Sequence, residues 1–85
     1  MSEAIFTAYI TKYALTMGIV QKQVEGTPAS GMVVTSGERY PAYFHGEGRE
    51  WHRTREAAVK RANAMRDAKV ASLRKQIARL ETAAF

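Results

Sequence analysis

The chain has 85 residues and no cysteine, so disulfides and thiolate metal sites are excluded and stability must come from a small core or from assembly. Its net charge of +5 is unevenly placed: residues 1–48 carry three Lys/Arg against four Glu (net −1), and residues 49–85 carry ten Lys/Arg against four Asp/Glu (net +6). With no signal-peptide pattern and no apolar run near the roughly 20 residues of a membrane span, we expect one cytoplasmic domain, 1–85, without a membrane partner.

Four segments share β-branched, aromatic or alternating composition and are bounded by Gly, Pro or Ser, which predicts strands at 5–11, 19–25, 32–35 and 39–45. A turn is expected over 12–18, because Gly18 interrupts the pattern. Pro41 has no N–H to donate to a ladder, so the last strand should lie at a sheet edge. The predicted fold class is α+β: a three- to four-stranded antiparallel sheet in 1–53, followed by one long C-terminal helix.

The predicted helix covers residues 54–84. Thr54 has the hydroxyl of an N-cap, and Glu56 suits the positive end of the helix. No Gly or Pro follows Gly48, so nothing in the sequence stops the helix early. We expect Trp51 to anchor the preceding loop to the core.

Two lines of apolar residues divide this helix. Ala58, Ala62 and Met65 form the first, which we expect to lie across the sheet. The second is the predicted oligomer interface, a heptad seam rotated by roughly 70° from the first line and made of Val70, Leu73, Ile77, Leu80 and Ala84. β-Branched residues at a and leucine at d favour a dimer of this coiled-coil half. The alternative is a monomer whose helix folds back over a curled sheet.

No catalytic, metal or cofactor motif is present. The segment from His45 to His52 holds two histidines and two carboxylates, but their spacing matches no known ligand pattern. Gly46 and Gly48 form GxG without the rest of a phosphate loop, and we interpret them as a flexible turn. The candidate ligand- or partner-binding residues are aromatic or basic: Lys12, Tyr13, Arg39, Tyr43, His45, Arg53, Arg61, Lys75 and Arg79.

The charge and the tyrosines leave nucleic acid open as a partner. A tyrosine-rich sheet beside cations can stack bases and hold phosphates, and a basic helix can bind a phosphate backbone. Only Arg55 and Asn63 could read base edges near the start of the helix, so we do not expect sequence-specific recognition of a duplex.

Two segments, YITKYALTMGI (9–19) and YFHGEGREWHRTREA (43–57), together with the basic tail, resemble small proteins encoded by tailed phages and prophages. The resemblance implies a context and no functional residue. It implies a small non-enzymatic accessory protein that acts by stoichiometric binding, in the host cytoplasm. Such a protein would inhibit a host protein or defence system, or sequester an anionic nucleotide, and this one would assemble through its C-terminal helix. The alternative is a nucleic-acid-binding protein.

Overall fold

The computed structural model describes residues 4–84. Its elements, in chain order, are β1 (Ile5–Ile10), α1 (Ala14–Met17), β2 (Val20–Gly26), β3 (Met32–Thr35), β4 (Tyr43–His45), β5 (Trp51–His52) and α2 (Arg55–Glu81). The predicted α+β plan is confirmed, with one strand more than expected.

The five strands form one antiparallel sheet in the order β4-β3-β2-β1-β5. β4 therefore lies at an edge, as Pro41 predicted, but it begins only at Tyr43 and is shorter than the expected strand. Just before β4, the Ala42 carbonyl accepts from the Thr35 N–H of β3 at 2.9 Å, but the Ala42 N–H donates to the Thr35 side-chain hydroxyl at 2.8 Å and not to a backbone carbonyl. The opposite edge is β5, a two-residue strand that pairs with the end of β1.

The main hydrophobic cluster is built by the strands of the sheet. One cluster of buried residues takes members from all five strands: Ala8, Ile10, Val24, Val33, Phe44 and Trp51. Strand registers place these side chains on the same face. Phe6 and Ile10 lie on one face of β1, since alternate residues of a strand share a face, and they pair with Val24 and Trp51 respectively. The sheet curls over this face, and the Trp51 indole N–H donates to the Gly31 carbonyl at 2.9 Å. Trp51 is thus the core anchor that the sequence predicts.

The segment predicted as a turn, residues 12–18, contains the four-residue helix α1. Tyr13 O accepts from the Met17 N–H at 2.8 Å, and Ala14 O accepts from the Gly18 N–H at 3.0 Å. Gly18 then takes φ +76°, which ends the helix in a region that other residues avoid. The chain therefore still reverses at Gly18, after one helical turn.

α2 begins with the predicted cap: the Thr54 hydroxyl accepts from the Ala57 N–H at 3.2 Å. Its main contacts are with α1, β5 and β1, so it covers one end of the sheet and does not cross it as expected. Ala58 is fully buried there, and Ala62 and Met65 are half-buried. From Arg66 to Ala84 every residue is exposed, and the molecule measures 64 × 25 × 21 Å. Neither helix in the described part of the chain has the length and apolar character needed to cross a membrane.

Candidate functional site

The loop between β4 and β5 is tightly bonded, although its glycines led us to expect flexibility. Gly46 and Gly48 both have φ +88°, and the Gly46 carbonyl accepts from the N–H groups of Arg49 and Glu50 at 3.0 and 3.1 Å. A Cβ on Gly46 would lie 3.3 Å from the Arg49 Cβ. The loop therefore has a fixed shape that only glycine permits at these positions.

This loop and β5 hold His52 in one tautomer. The Thr11 hydroxyl lies 2.8 Å from the Arg49 carbonyl and must donate its proton there, because a carbonyl only accepts. The same hydroxyl lies 2.9 Å from His52 Nε2, so it accepts from an Nε2–H. In the neutral ring Nδ1 is then the unprotonated nitrogen. His52 is 3% exposed and Thr11 is fully buried, so the hydrogen bond between them is buried, whereas the bond to the Arg49 carbonyl is partly buried.

The neutral form of His52 is favoured by its surroundings. Burial is the main cause that lowers the pKa of His52 below its usual value, and the nearby Arg61 guanidinium lowers it further. Glu47 acts in the opposite direction, with the smaller effect. The imidazole thus presents Nδ1 as an acceptor near neutral pH, next to a fixed positive charge.

A groove of ≈ 330 Å³ runs between the loop and the first turns of α2. His52 lies in it, and Gly48, Ala57 and Ala64 keep it open because their side chains are small or absent. Lys60 and Arg61 line its α2 side. A second depression, ≈ 260 Å³, shares three of these residues and extends the groove past Glu47, Arg53 and Thr54.

Arg53 faces the core side of the sheet and is already engaged. Its guanidinium lies 4.6 Å from the Phe6 ring centroid and 5.3 Å from that of Trp51, and its Nε donates to Glu47 Oε2 at 2.9 Å. These residues line a separate cavity of ≈ 320 Å³ beneath the β2–β3 loop. The ion pair is about half exposed, so it is worth at most about 1 kcal/mol.

Three more of the predicted binding residues meet around Glu50. The Lys12 ammonium lies 3.9 Å from Glu50 Oε1 and 5.5 Å from the Tyr13 ring centroid. The same carboxylate oxygen accepts from the His45 backbone N–H at 2.8 Å. Glu50 therefore ties the end of β1 to the end of β4, and it neutralises the cation that the sequence suggested for anion binding.

The remaining head residues lie apart from these. Arg39 is in the β3–β4 loop, with its guanidinium 5.5 Å from the exposed Tyr40 ring, and Tyr43 is on the edge strand β4. Tyr9 and Tyr43 share the outer face of the sheet, but they are three strands apart and displaced by four residues along the register. Standard strand spacings put them on the order of 15–20 Å apart along the sheet, so these two tyrosines do not form one stacking platform.

The projecting part of α2 carries the other predicted residues. Lys75 and Arg79 are exposed, and Lys75 lies 14 residues beyond Arg61, or about 21 Å along the helix axis. The predicted seam is uncovered, with exposed fractions that rise along the helix: Val70 37%, Leu73 42%, Ile77 54% and Leu80 74%. Ala84, its last member, is also exposed.

Sequence reasoning missed His52 as a site residue, and it missed Lys60. The one clue in the sequence was the place of His52 directly after the core anchor Trp51, because neighbouring residues in an extended segment point to opposite faces. Among residues 4–84 no group of three or more His, Asp or Glu side chains is placed to hold a metal ion.

Comparison with known proteins adds no identity: no family model, no curated protein and no solved structure matches the chain.

Proposed function

We propose that the chain is a small non-enzymatic binding protein of the phage-accessory type, which assembles through α2 and acts by stoichiometric binding. Its target would be a host protein or an anionic nucleotide ligand in the host cytoplasm. The observation that carries the proposal is the exposed seam at heptad spacing on a helix that leaves the body of the molecule. An apolar stripe of this kind is stable in water when a second helix covers it.

A second copy of the chain is the occupant that the pattern favours. Valine and isoleucine at a with leucine at d are typical of two-stranded pairing, and both copies would supply the same four large side chains. The seam is only two heptads long, which is marginal for an isolated helix. Here α2 is anchored at its start by the cap and by the buried Ala58, so part of the cost of ordering it is already met.

Charges beside the seam favour an antiparallel pair. In a parallel pair, residue g of one heptad faces residue e of the partner's next heptad, which sets Lys69 against Arg74 on both sides. In an antiparallel pair that layers Val70 on Leu80 and Leu73 on Ile77 of the second copy, residues at e face each other. Arg74 then comes near the second copy's Glu81, and the equivalent Glu81–Arg74 pair lies on the same flank, with the two copies of Arg74 between them. The antiparallel pair has two attractions against one repulsion, between the two copies of Arg74, whereas the parallel pair has two repulsions and no attraction.

Light scattering after size exclusion tests the assembly. We expect about twice the 9.5 kDa chain mass at tens of micromolar, and a monomer for Leu73→Glu. Ala78→Glu adds the same charge to an exposed position outside the seam and should leave the dimer intact. A monomeric wild-type chain at these concentrations would refute the proposed assembly.

Cross-linking tests the orientation, since the chain has no cysteine of its own. In an antiparallel pair, an equimolar mixture of Val70→Cys and Leu80→Cys should form a disulfide dimer on mild oxidation. Val70→Cys alone should cross-link poorly, because its partner across the interface is Leu80. Efficient cross-linking of Val70→Cys alone would indicate a parallel pair and contradict the charge argument.

Nucleic acid has less support as the target, because Tyr9 and Tyr43 are far apart and Lys12 is paired with Glu50. Binding to single- and double-stranded nucleic acid should be measured at low salt and then across a salt series. A steep fall of affinity with the logarithm of salt concentration would favour this alternative over the proposed function.

A further inference from the structure

We infer that the groove between the β4–β5 loop and α2 binds a phosphomonoester group, such as the phosphate of a nucleotide. This inference rests on the proposed function, whose anionic ligand it makes specific, and it adds the place of binding and the chemistry. Three observations carry it. Two cations form no salt bridge within residues 4–84, a buried histidine has one ring nitrogen without a protein partner in that range, and a groove of suitable size joins them.

The cations come first. Lys60 and Arg61 line the groove, and neither takes part in a salt bridge within the described residues 4–84. The other cation near the groove, Arg53, is paired with Glu47. A dianion that entered the groove would therefore meet two positive charges without breaking an existing ion pair. Arginine is suited to this task because its planar guanidinium can donate two hydrogen bonds to one phosphate.

The open nitrogen is Nδ1 of His52. Its other ring nitrogen is bound to Thr11, and within residues 4–84 Nδ1 makes no hydrogen bond to the protein. No buried side-chain nitrogen or oxygen in that part of the chain lacks a partner, so Nδ1 must be reached by solvent. His52 also lines both depressions of the groove. A side chain that is 97% buried thus keeps a single polar atom accessible to water where the groove runs.

The ligand class follows from the two states of this nitrogen. Neutral His52 accepts at Nδ1, and a phosphomonoester that carries one proton can donate to it. Protonated His52 donates at Nδ1, and a phosphomonoester dianion accepts. A sulfate at neutral pH has no proton to donate and meets only the second state. A ligand that fits both states must gain or lose a proton near pH 6, and the second pKa of a phosphomonoester is about 6.

Binding should be linked to proton uptake. In the free protein, Arg61 opposes protonation of His52 and Glu47 favours it, while Lys60 and Arg53 add positive charge from α2 and the segment before it. Tyr9 pairs with His52 in the strand register. A bound phosphate would offset the charge of Arg61 and favour the protonated ring. Affinity should therefore rise as pH falls from about 7.5 toward 6.

Calorimetric titration of the full chain with a nucleoside 5′-monophosphate, at low salt, tests the site. Inorganic phosphate, sulfate and the parent nucleoside serve as comparison ligands. We expect the monophosphate to bind, inorganic phosphate to compete with it, sulfate to compete less well at neutral pH, and the nucleoside not to bind. Titrations in buffers of different ionisation enthalpy should reveal proton uptake near neutral pH.

Two substitutions locate the site. Arg61→Gln should weaken binding by about 10-fold or more, since a hydrogen bond to a charged group is worth about 1.5–3 kcal/mol. Arg55→Gln removes the same charge from an exposed position on α2 outside the groove and should leave affinity within about 2-fold. His52→Gln can still donate to Thr11 and should remove the proton uptake while some binding persists.

The inference is overturned if neither the monophosphate nor inorganic phosphate binds at millimolar concentration, or if Arg61→Gln binds as tightly as the wild type. It is also overturned if a phosphodiester binds as tightly as the monoester without proton uptake, because that result indicates a nucleic-acid backbone. Failure here is separable from failure of the proposed assembly. The monomeric Leu73→Glu variant keeps the whole groove, so it should bind the monophosphate as the wild type does.

Discussion

The hydroxyl of Thr11 is the point at which β1, the β4–β5 loop and β5 are joined, so its removal is the most informative perturbation of the head. Thr11→Val keeps the shape of the side chain and replaces the hydroxyl by a methyl. It leaves His52 Nε2–H and the Arg49 carbonyl without their partner, in a place where Thr11 is fully buried and His52 nearly so.

The expected cost is large for so small a change. The buried His52 Nε2–H costs about 1–3 kcal/mol when it is left unpaired, and the carbonyl of the exposed residue Arg49 loses a hydrogen bond worth about 0.5–1.5 kcal/mol. Burying an additional methyl returns about 0.8 kcal/mol. The free energy of unfolding should fall by about 1–4 kcal/mol, a large fraction of the total for a domain of this size.

Urea denaturation followed by tryptophan fluorescence measures this change, because Trp51 is the single tryptophan and is 2% exposed. With a slope of about 1 kcal/mol per molar urea for a small domain, the midpoint should fall by about 1 M or more. All variants should be compared in the Leu73→Glu background at one protein concentration, so that assembly does not contribute.

Two further variants decide whether the reasoning is right. Thr11→Ser keeps the hydroxyl and should lose only about 1 kcal/mol, for the missing methyl. Thr7→Val removes a threonine hydroxyl from the outer face of β1, where it only accepts from Gln23, and should change stability by less than about 0.5 kcal/mol. If Thr11→Val is as stable as the wild type, or Thr11→Ser is the less stable of the two, the role given to the hydroxyl is wrong.

The same assay checks three other expectations. The free energy of unfolding should fall as pH decreases below about 6.5, by at most about 1.4 kcal/mol per pH unit, because the unfolded chain then takes up a proton that native His52, with its lowered pKa, resists. His52→Gln should flatten this dependence, and an unchanged pH dependence in that variant would contradict the role given to His52. Thr54→Ala removes the N-cap and should cost about 1 kcal/mol. Ala58→Leu should cost about 1–3 kcal/mol or more where α2 meets the sheet, whereas Ala68→Leu on the exposed surface should change stability little, and equal effects would contradict the proposed packing of α2.

Local signals in the sequence were enough for much of the fold. The cap at Thr54, the absence of Gly and Pro after Gly48, and the composition of 5–11 and 19–25 indicate structures that depend on neighbouring residues. α1 was missed because a single helical turn has no periodicity to detect. β5 was missed for a similar reason, since two residues cannot show alternation.

The groove was beyond the reach of sequence reasoning because distant residues build it. Thr11 and His52 are 41 positions apart, and their contact exists only because β5 pairs with β1. The sequence did pick out Arg61, but only as one of nine aromatic or basic candidates. Arg61 differs from Lys75 because His52 lies near it. This contact depends on the packing of α2 against β5, which the sequence does not show.

The length of α2 also sets a distance. In the proposed antiparallel pair, the helix axes cross near residue 75, so the two copies of Arg61 lie on the order of 40 Å apart, facing outward from a rigid rod. A ligand that carries two phosphate groups at that spacing would engage both ends of one dimer. Its second contact would form at the high effective concentration that a tether provides, and its avidity would exceed the affinity of either groove. The length of the helix would then determine which ligands bind to both sites, because only a ligand whose phosphates have the matching spacing could reach both grooves of one dimer.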